Sequence, residues 1–401
     1  MAPNTDRLSS LPHSLLKEAI RTSILSKSWI DIFKSTSNIE FDEVSFVKDS
    51  QTYRNKQAQR KAFLNFVALW IANHSETIVD KFSLRFSMPE KAKRVVGKCI
   101  SFATNHGVKE LELNFCDPTL NCYFTTNYIN QEALHELPTH VYGHTFVKSL
   151  KLFSCGFVEA EFHNFHALKE ISLGWMEVKL NTTKTLLLNC KALESLSLKR
   201  CWNSDEFNLG EENLRLRKLV VDRCMFRSDS IYFTANAPNL RYFYYSGLNN
   251  NFLVIDARSL VMEEFILDFC IEFEGHALFL YKLVEKISSA SVLTVSNYLL
   301  QDYELPENFN PERFWTDHER ASTCMLYTLR YVDIKNFEGS INEIRMLTYF
   351  ITMGRILRKI TINVLKDDVA DQDDKLDYYR SDMTEQLMTQ RASKDLEISM
   401  L

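Results

Sequence analysis

The sequence predicts an α/β solenoid: a curved, mainly parallel sheet with helices and irregular returns on its outside. Three observations point to it. The first is a frame met twice in one stretch, Leu193-x-x-Leu196-x-Leu198-x-x-Cys201 and Leu216-x-x-Leu219-x-Val221-x-x-Cys224. The second is that the same frame starts at Val147, Leu168, Leu193, Leu216, Leu240, Met262 and more loosely Ala290, roughly every 21–28 residues. The third is a cysteine in one slot of the frame, at Cys116, Cys155, Cys201, Cys224 and Cys270.

A drifting period in the twenties with an L-x-x-L-x-L core is the signature of a leucine-rich repeat. A chain of 401 residues is long for one compact core. A repeat array escapes that ceiling, because each unit contacts only its neighbours. The shared cysteine slot turns inward just after each strand, where a small apolar residue with a weak donor meets the bend. One cysteine per rung spreads the thiols along the stack, whereas a metal site would gather them as in C-x-x-C.

Taken in order, residues 6–33 place Leu11, Leu15, Leu16, Ile20, Ile24, Leu25, Trp29 and Phe33 on apolar helix faces. Residues 48–60 are polar and lead into a helix with Phe63, Phe66, Val67, Trp70 and Ile71 along one side, expected to cap the solenoid. Val79-x-x-Phe82-x-Leu84 and Val108-x-x-Leu111-x-Leu113 are strands. Between them Ser87-x-x-Glu90 reads as a capping box, followed by a helix with a stripe of Val95, Val96, Cys99, Ile100 and Ala103 that ends near Gly107. Residues 117–146 read as an insertion before the regular rungs. His135, His140, His144, His163 and His166 fall in or beside it; no carboxylate or cysteine cluster completes a metal site there, and Gly143 argues for a loop.

From 147 to 300 strands alternate with returns. The frame leucines face inward, so the intervening residues line the concave face. Early rungs present Ser149, Lys151, Glu170, Ser172, Ser195 and Ser197; later ones present Lys218, Val220, Tyr242, Tyr244, Glu264 and Ile266. Val220, Tyr242, Tyr244 and Ile266 are the candidate substrate-binding residues, since tyrosines supply large, rigid contact areas for protein recognition. Stacking between neighbouring rungs is the other reading of the same residues. A helix over 277–289 and a two-proline loop precede the last segment. There the pattern predicts strand Leu329–Ile334, a turn at Gly339, a helix over 341–357 capped by Ser340 and Glu343, and strand Leu357–Val364.

Net charge is −5, which supplies no electrostatic reason for a nucleic-acid partner. The start of the chain lacks the apolar core of a secretory signal, and the longest apolar stretch, Phe63–Ala72, is too short to span a bilayer, so no membrane partner is expected. Nine cysteines, an odd number, suit an intracellular, reducing location. No glycine-rich phosphate loop, H-E-x-x-H or G-x-S-x-G is present; no cofactor, metal or catalytic residue is expected, and an enzyme is not.

Two further stretches resemble one family. Leu11-Pro12-x-x-Leu15-Leu16 and Ala19-Ile20 through Ser28-Trp29 resemble the opening and the end of the F-box of plant F-box/leucine-rich-repeat proteins, and Phe41-Asp42-Glu43 resembles the strand that follows. Val332-x-Ile334-x-x-Phe337-x-Gly339, Asn342-Glu343 and Leu357-x-x-Ile360-Thr361-Ile362 resemble the FBD segment that ends that family. The F-box stretch departs from the pattern by a missing inner helix of roughly ten residues, about 15 Å of helix. The resemblance implies 1–47 as a shortened F-box, 48–315 as the solenoid and 316–401 as the FBD-like segment. It also implies a non-catalytic substrate-recognition subunit of a Skp–cullin–F-box ubiquitin ligase. Leu11, Pro12, Leu15, Leu16, Ile20, Ile24, Leu25 and Trp29 would then hold the Skp-family adaptor and through it the cullin, while the solenoid holds a protein substrate. The alternative is an interaction protein that joins no ligase because its F-box is incomplete.

Overall fold

A computed structural model of the chain describes residues 37–47, 53–74, 78–116, 134–203, 208–209, 215–226, 234–235, 238–247, 262–269, 289–296, 323–365 and 384–401. The chain divides into two compact units, one of residues 1–178 with 185–193, the other of 179–184 with 194–401.

The first unit stacks five parallel strands: β1 (Asn38–Asp42), β2 (Lys81–Arg85), β3 (Glu110–Asn114), β4 (Ser149–Phe153) and β5 (Glu170–Gly174). They pair in register, so the frame positions form continuous rows: Ile39, Phe82, Leu111, Leu150 and Ile171, then Phe41, Leu84, Leu113, Leu152 and Leu173. All ten side chains are buried. Register is held because a one-residue slip would turn every one of them to water. Phe41-Asp42-Glu43 divides at its end. Asp42 accepts the Val44 N–H at 3.0 Å and starts a short helix, α1 (Glu43–Phe46).

Helix α2 (Tyr53–Asn73) lays the expected face on this sheet, with Phe63, Val67 and Trp70 buried and Phe66 and Ile71 half-buried. Phe41 meets the rings of Trp70 and Phe66 edge-on at 5.3 and 6.1 Å. Helix α3 (Lys93–Asn105) buries Val96, Cys99, Ile100 and Ala103 and closes at Gly107, whose φ of 67° suits a residue without a Cβ.

The capping box expected at Ser87 and Glu90 does not form. Pro89–Lys91 make a 3-10 turn, α3 starts at Lys93 behind an Ala92 cap, and Ser87 is engaged elsewhere. Its N–H and hydroxyl donate to Glu43 Oε2 at 2.7 and 2.8 Å. The other Glu43 oxygen takes the Arg60 Nε–H. A long-range acceptor has outcompeted the local one.

Of the expected insertion, residues 117–133 lie outside the described residues. The rest is built like an ordinary return. His135–Glu136 pairs with Cys155–Gly156, and 3-10 turns follow at Thr139–Gly143 and Glu159–Asn164. The Tyr142 hydroxyl accepts the Val158 N–H at 2.8 Å, and its ring lies 5.7 Å from that of Phe162. His140 is therefore in a 3-10 turn, not a free loop.

The second unit stacks eight parallel strands: β6 (Ser195–Lys199), β7 (Lys218–Asp222), β8 (Tyr242–Gly247), β9 (Glu264–Phe269), β10 (Val292–Ser296), β11 (Tyr331–Phe337), β12 (Lys359–Val364) and β13 (Glu397–Met400). The three strands of the FBD-like segment continue the ladder, β10 pairing β11, β11 pairing β12 and β12 pairing β13. Strand β11 starts two residues later than expected and runs on through an irregularity between Ile334 and Phe337, where Asn336 has φ 55°. Helix α4 (Ile341–Met353) is shorter than the expected 341–357. It stops at Gly354, where a Cβ would sit 2.6 Å from the Phe350 carbonyl, and Leu357 is buried in the turn beyond.

The Ser340–Glu343 capping box is present in both directions. Glu343 is buried and takes the Ser340 N–H at 2.7 Å. Removing the cap with Ser340→Ala is expected to cost about 1 kcal/mol, read as a lower denaturation midpoint. Burial pushes the Glu343 carboxyl above its ordinary range, against the backbone donors of Ser340 and Glu338. Its neutral form suits the fold, so this residue adds stability at acid pH and loses it as pH rises through the raised value. The Tm advantage of the wild type over Glu343→Gln should shrink as pH rises above the ordinary carboxyl range of about 4; a constant difference would refute the shift.

Candidate recognition face

The cysteine slot comes out as structural. Cys155, Cys201 and Cys224 are buried and Cys116 is half-buried, while Cys270 lies outside the described residues. The residue before each buried slot cysteine is left-handed, Ser154, Arg200 and Arg223 all having φ 51°. That bend swings the thiol inward, where Cys155 donates to the His135 carbonyl at 3.2 Å and Cys224 to the Leu198 carbonyl at 3.5 Å. Burial pushes the Cys99, Cys155 and Cys190 thiols up to about 12. In the folded protein at about pH 8, iodoacetamide should reach Cys116 before these three; equal labelling rates would contradict the buried slot.

The side chains between the frame positions line the opposite side of the sheet in the second unit. Register aligns them in three rows. The first holds Ser195, Lys218, Tyr242, Glu264, Val292, Tyr331 and Lys359; the second holds Ser197, Val220, Tyr244, Ile266, Thr294, Asp333 and Thr361. The third holds Lys199, Asp222, Ser246 and Asp268.

Val220, Tyr244 and Ile266 are thus direct neighbours in one row, half-buried, with Tyr242 one step away on the strand of Tyr244. Both rings are held. The Lys218 ammonium lies 4.7 Å from the Tyr242 ring centroid, and the Tyr244 hydroxyl donates to Asp268 at 3.2 Å. Burial, with the Asp268 and Asp222 charges nearby, pushes the Tyr244 phenol above its ordinary range, so it stays a neutral donor. Burial likewise raises Asp222, against the pull of Arg223.

Tyr331, Thr294, Asp333, Asp222 and Asp268 share this face and were missed in the sequence. Continuing the frame through Leu329-x-x-Val332-x-Ile334 would have found Tyr331, and counting a third outward residue per strand would have found the two aspartates. Leu11, Pro12, Leu15, Leu16, Ile20, Ile24, Leu25 and Trp29 lie outside the described residues. Among the described residues no group of three or more His, Cys, Asp or Glu is placed to hold a metal ion, and no helix is long and apolar enough to cross a membrane.

Parallel rungs with inward leucines, a cysteine turn and polar-to-aromatic outward rows define a leucine-rich-repeat protein of the α/β solenoid class. Comparison with known proteins agrees. The family described as "At1g61320/AtMIF1, LRR domain" matches residues 70–296, and the FBD family matches residues 321–362. The Arabidopsis thaliana protein named for an F-box and leucine-rich repeats, At1g56400, is 30% identical over 370 residues, covering 86% of this chain and 74% of its own. The F-box protein At3g62230 of the same plant is 28% identical over 417 residues, 86% of each. The chain belongs to the plant F-box/leucine-rich-repeat family with a C-terminal FBD domain. As such it is a protein-interaction module.

Proposed function

We propose that this chain is the substrate-recognition subunit of a Skp–cullin–F-box E3 ubiquitin ligase, with a protein substrate held on the row face around Val220, Tyr242, Tyr244 and Ile266. The observation that carries the substrate half is the alignment of two immobilised tyrosines with Val220 and Ile266 on one half-buried face. Such anchors lose little side-chain freedom on binding. The adaptor half rests on family membership and on the motif residues Leu11 to Trp29. In this scheme the chain performs no chemistry. It raises the local concentration of substrate beside the ubiquitin carrier, inside the cell, where its thiols stay reduced.

Changing Tyr242 and Tyr244 together to Ala is expected to weaken substrate capture at least about tenfold, since buried aromatic anchors are worth about 2 kcal/mol or more each. Unchanged capture removes the substrate-face reading. The second reading, an interaction module outside any ligase, is favoured by the inner helix missing between Leu16 and Glu18. Co-precipitation with a Skp-family adaptor separates the two. Absence of adaptor, restored by inserting a family-like helix at that point, would select the second.

A further inference from the structure

We propose that the face around Tyr242 and Tyr244 takes an extended, basic segment of a protein partner, with two cationic side chains flanking one apolar residue. This rests on the substrate-face reading above and names the chemistry of the occupant.

Strand β9 presents Glu264, Ile266 and Asp268 to the same side, because alternate residues of a strand share a face. The two carboxylates lie about 13 Å apart at the ~3.3 Å rise per residue. The nearest described cations answer other groups: Lys199, Arg200 and Arg223 act on Asp222. Lys218 sits over the Tyr242 ring, and Arg223 lies beside Asp222. Arg241 pairs with Glu263 at 2.9 Å, a different carboxylate. Among the described residues Asp268 receives only the neutral Tyr244 hydroxyl, and no ion pair involves Asp268 or Glu264.

Between Asp222 and Asp268 in register lies Ser246, fully buried. Its hydroxyl is near the Tyr244 phenol but forms no well-aligned hydrogen bond. One end of the face thus holds Asp268 beside a buried hydroxyl without a well-aligned partner, the other holds Glu264 beside Tyr242, and Ile266 with the Tyr244 ring forms an apolar floor. Half-buried carboxylates without a cation favour a partner that brings one, and guanidinium or ammonium groups also stack on tyrosine. A segment lying along β9, cation–x–apolar–x–cation, has the same two-residue alternation as the strand and matches its span.

The probe is a fluorescein-labelled peptide, Gly-Arg-Ser-Leu-Ser-Arg-Gly, titrated with the full chain and followed by anisotropy. Controls carry Glu or Ala in place of both Arg. The expected result is binding of the arginine peptide at least about tenfold tighter than either control, weakening as NaCl rises. Glu264→Gln with Asp268→Asn should remove that preference while the circular-dichroism melt is unchanged. Glu264→Lys with Asp268→Lys should turn it towards the glutamate peptide. Equal binding of the three peptides, no binding of the arginine peptide, or a preference that survives the neutral double variant overturns the proposal. Capture of a partner through Tyr242 and Tyr244 that ignores the Glu264 and Asp268 changes would overturn the basic-segment inference and leave the substrate-face reading standing; indifference to all four residues would overturn both.

Discussion

Glu43→Ala is expected to destabilise the first unit by about 3–5 kcal/mol, the cost of leaving one partner of a buried charged network alone. The Glu43 side chain is 5% exposed and that of Arg60 14%, so neither charge is rescued by water. Both Glu43 oxygens are engaged: Arg60 Nε and the Ser87 N–H and hydroxyl all donate to them, while Arg60 Nη2 reaches the Ser87 hydroxyl at 3.3 Å. Through it the helix after β1, helix α2 and the chain leaving β2 are tied at one point. Urea unfolding of the full chain should show a clearly lower midpoint for Glu43→Ala and a smaller loss for Glu43→Gln, which keeps acceptor oxygen. Glu43→Leu combined with Arg60→Leu should recover much of the loss, because burying two charges carries its own desolvation cost. A loss under about 1 kcal/mol for the alanine variant would mean the cluster is solvated.

Phe265→Ala is expected to cost about 3–5 kcal/mol, whereas Tyr244→Ala, on the neighbouring strand but the other side, should cost about 1. Phe265 is fully buried and its ring stacks on that of Phe243 with centroids 5.0 Å apart. Truncation leaves a cavity between rungs whose positions are fixed by strand pairing on both sides. Tyr244 is half-buried, and its removal exposes Asp268 to water instead of leaving a void. Thermal melts of the two variants should therefore separate, with Phe265→Ala the lower. If Tyr244→Ala unfolds the unit as readily, loss of partner capture in the tyrosine variants could not be credited to the face.

Some of this was available from the residues alone. A period in the twenties with inward leucines determined the α/β solenoid class, the rung starts, the cysteine slot and the strands on which Val220, Tyr242, Tyr244 and Ile266 would stand. Period and alternation are local, and a repeat packs against a copy of itself, so one rung predicts the next. The Ser340–Glu343 cap was readable for the same reason, being complete within one helical turn.

What the tertiary structure decided is where partners distant in sequence meet. Ser87 had the spacing of a helix cap but is taken by Glu43 and Arg60, 44 and 27 residues away, since a buried carboxylate needs donors more than an exposed helix end needs an acceptor. Residues 134–146, set apart as an insertion, form a return because Tyr142 finds Val158 and Phe162. The frame could give the side that Tyr331 faces, but its row neighbours Val292 and Lys359 came only with the pairing of β11 to β10 and β12. That no described lysine or arginine pairs with Asp268 or Glu264 is likewise invisible in the chain, where lysines and arginines are plentiful. Spacing along a strand says which side a residue faces; which charges are already answered there depends on the neighbouring strands.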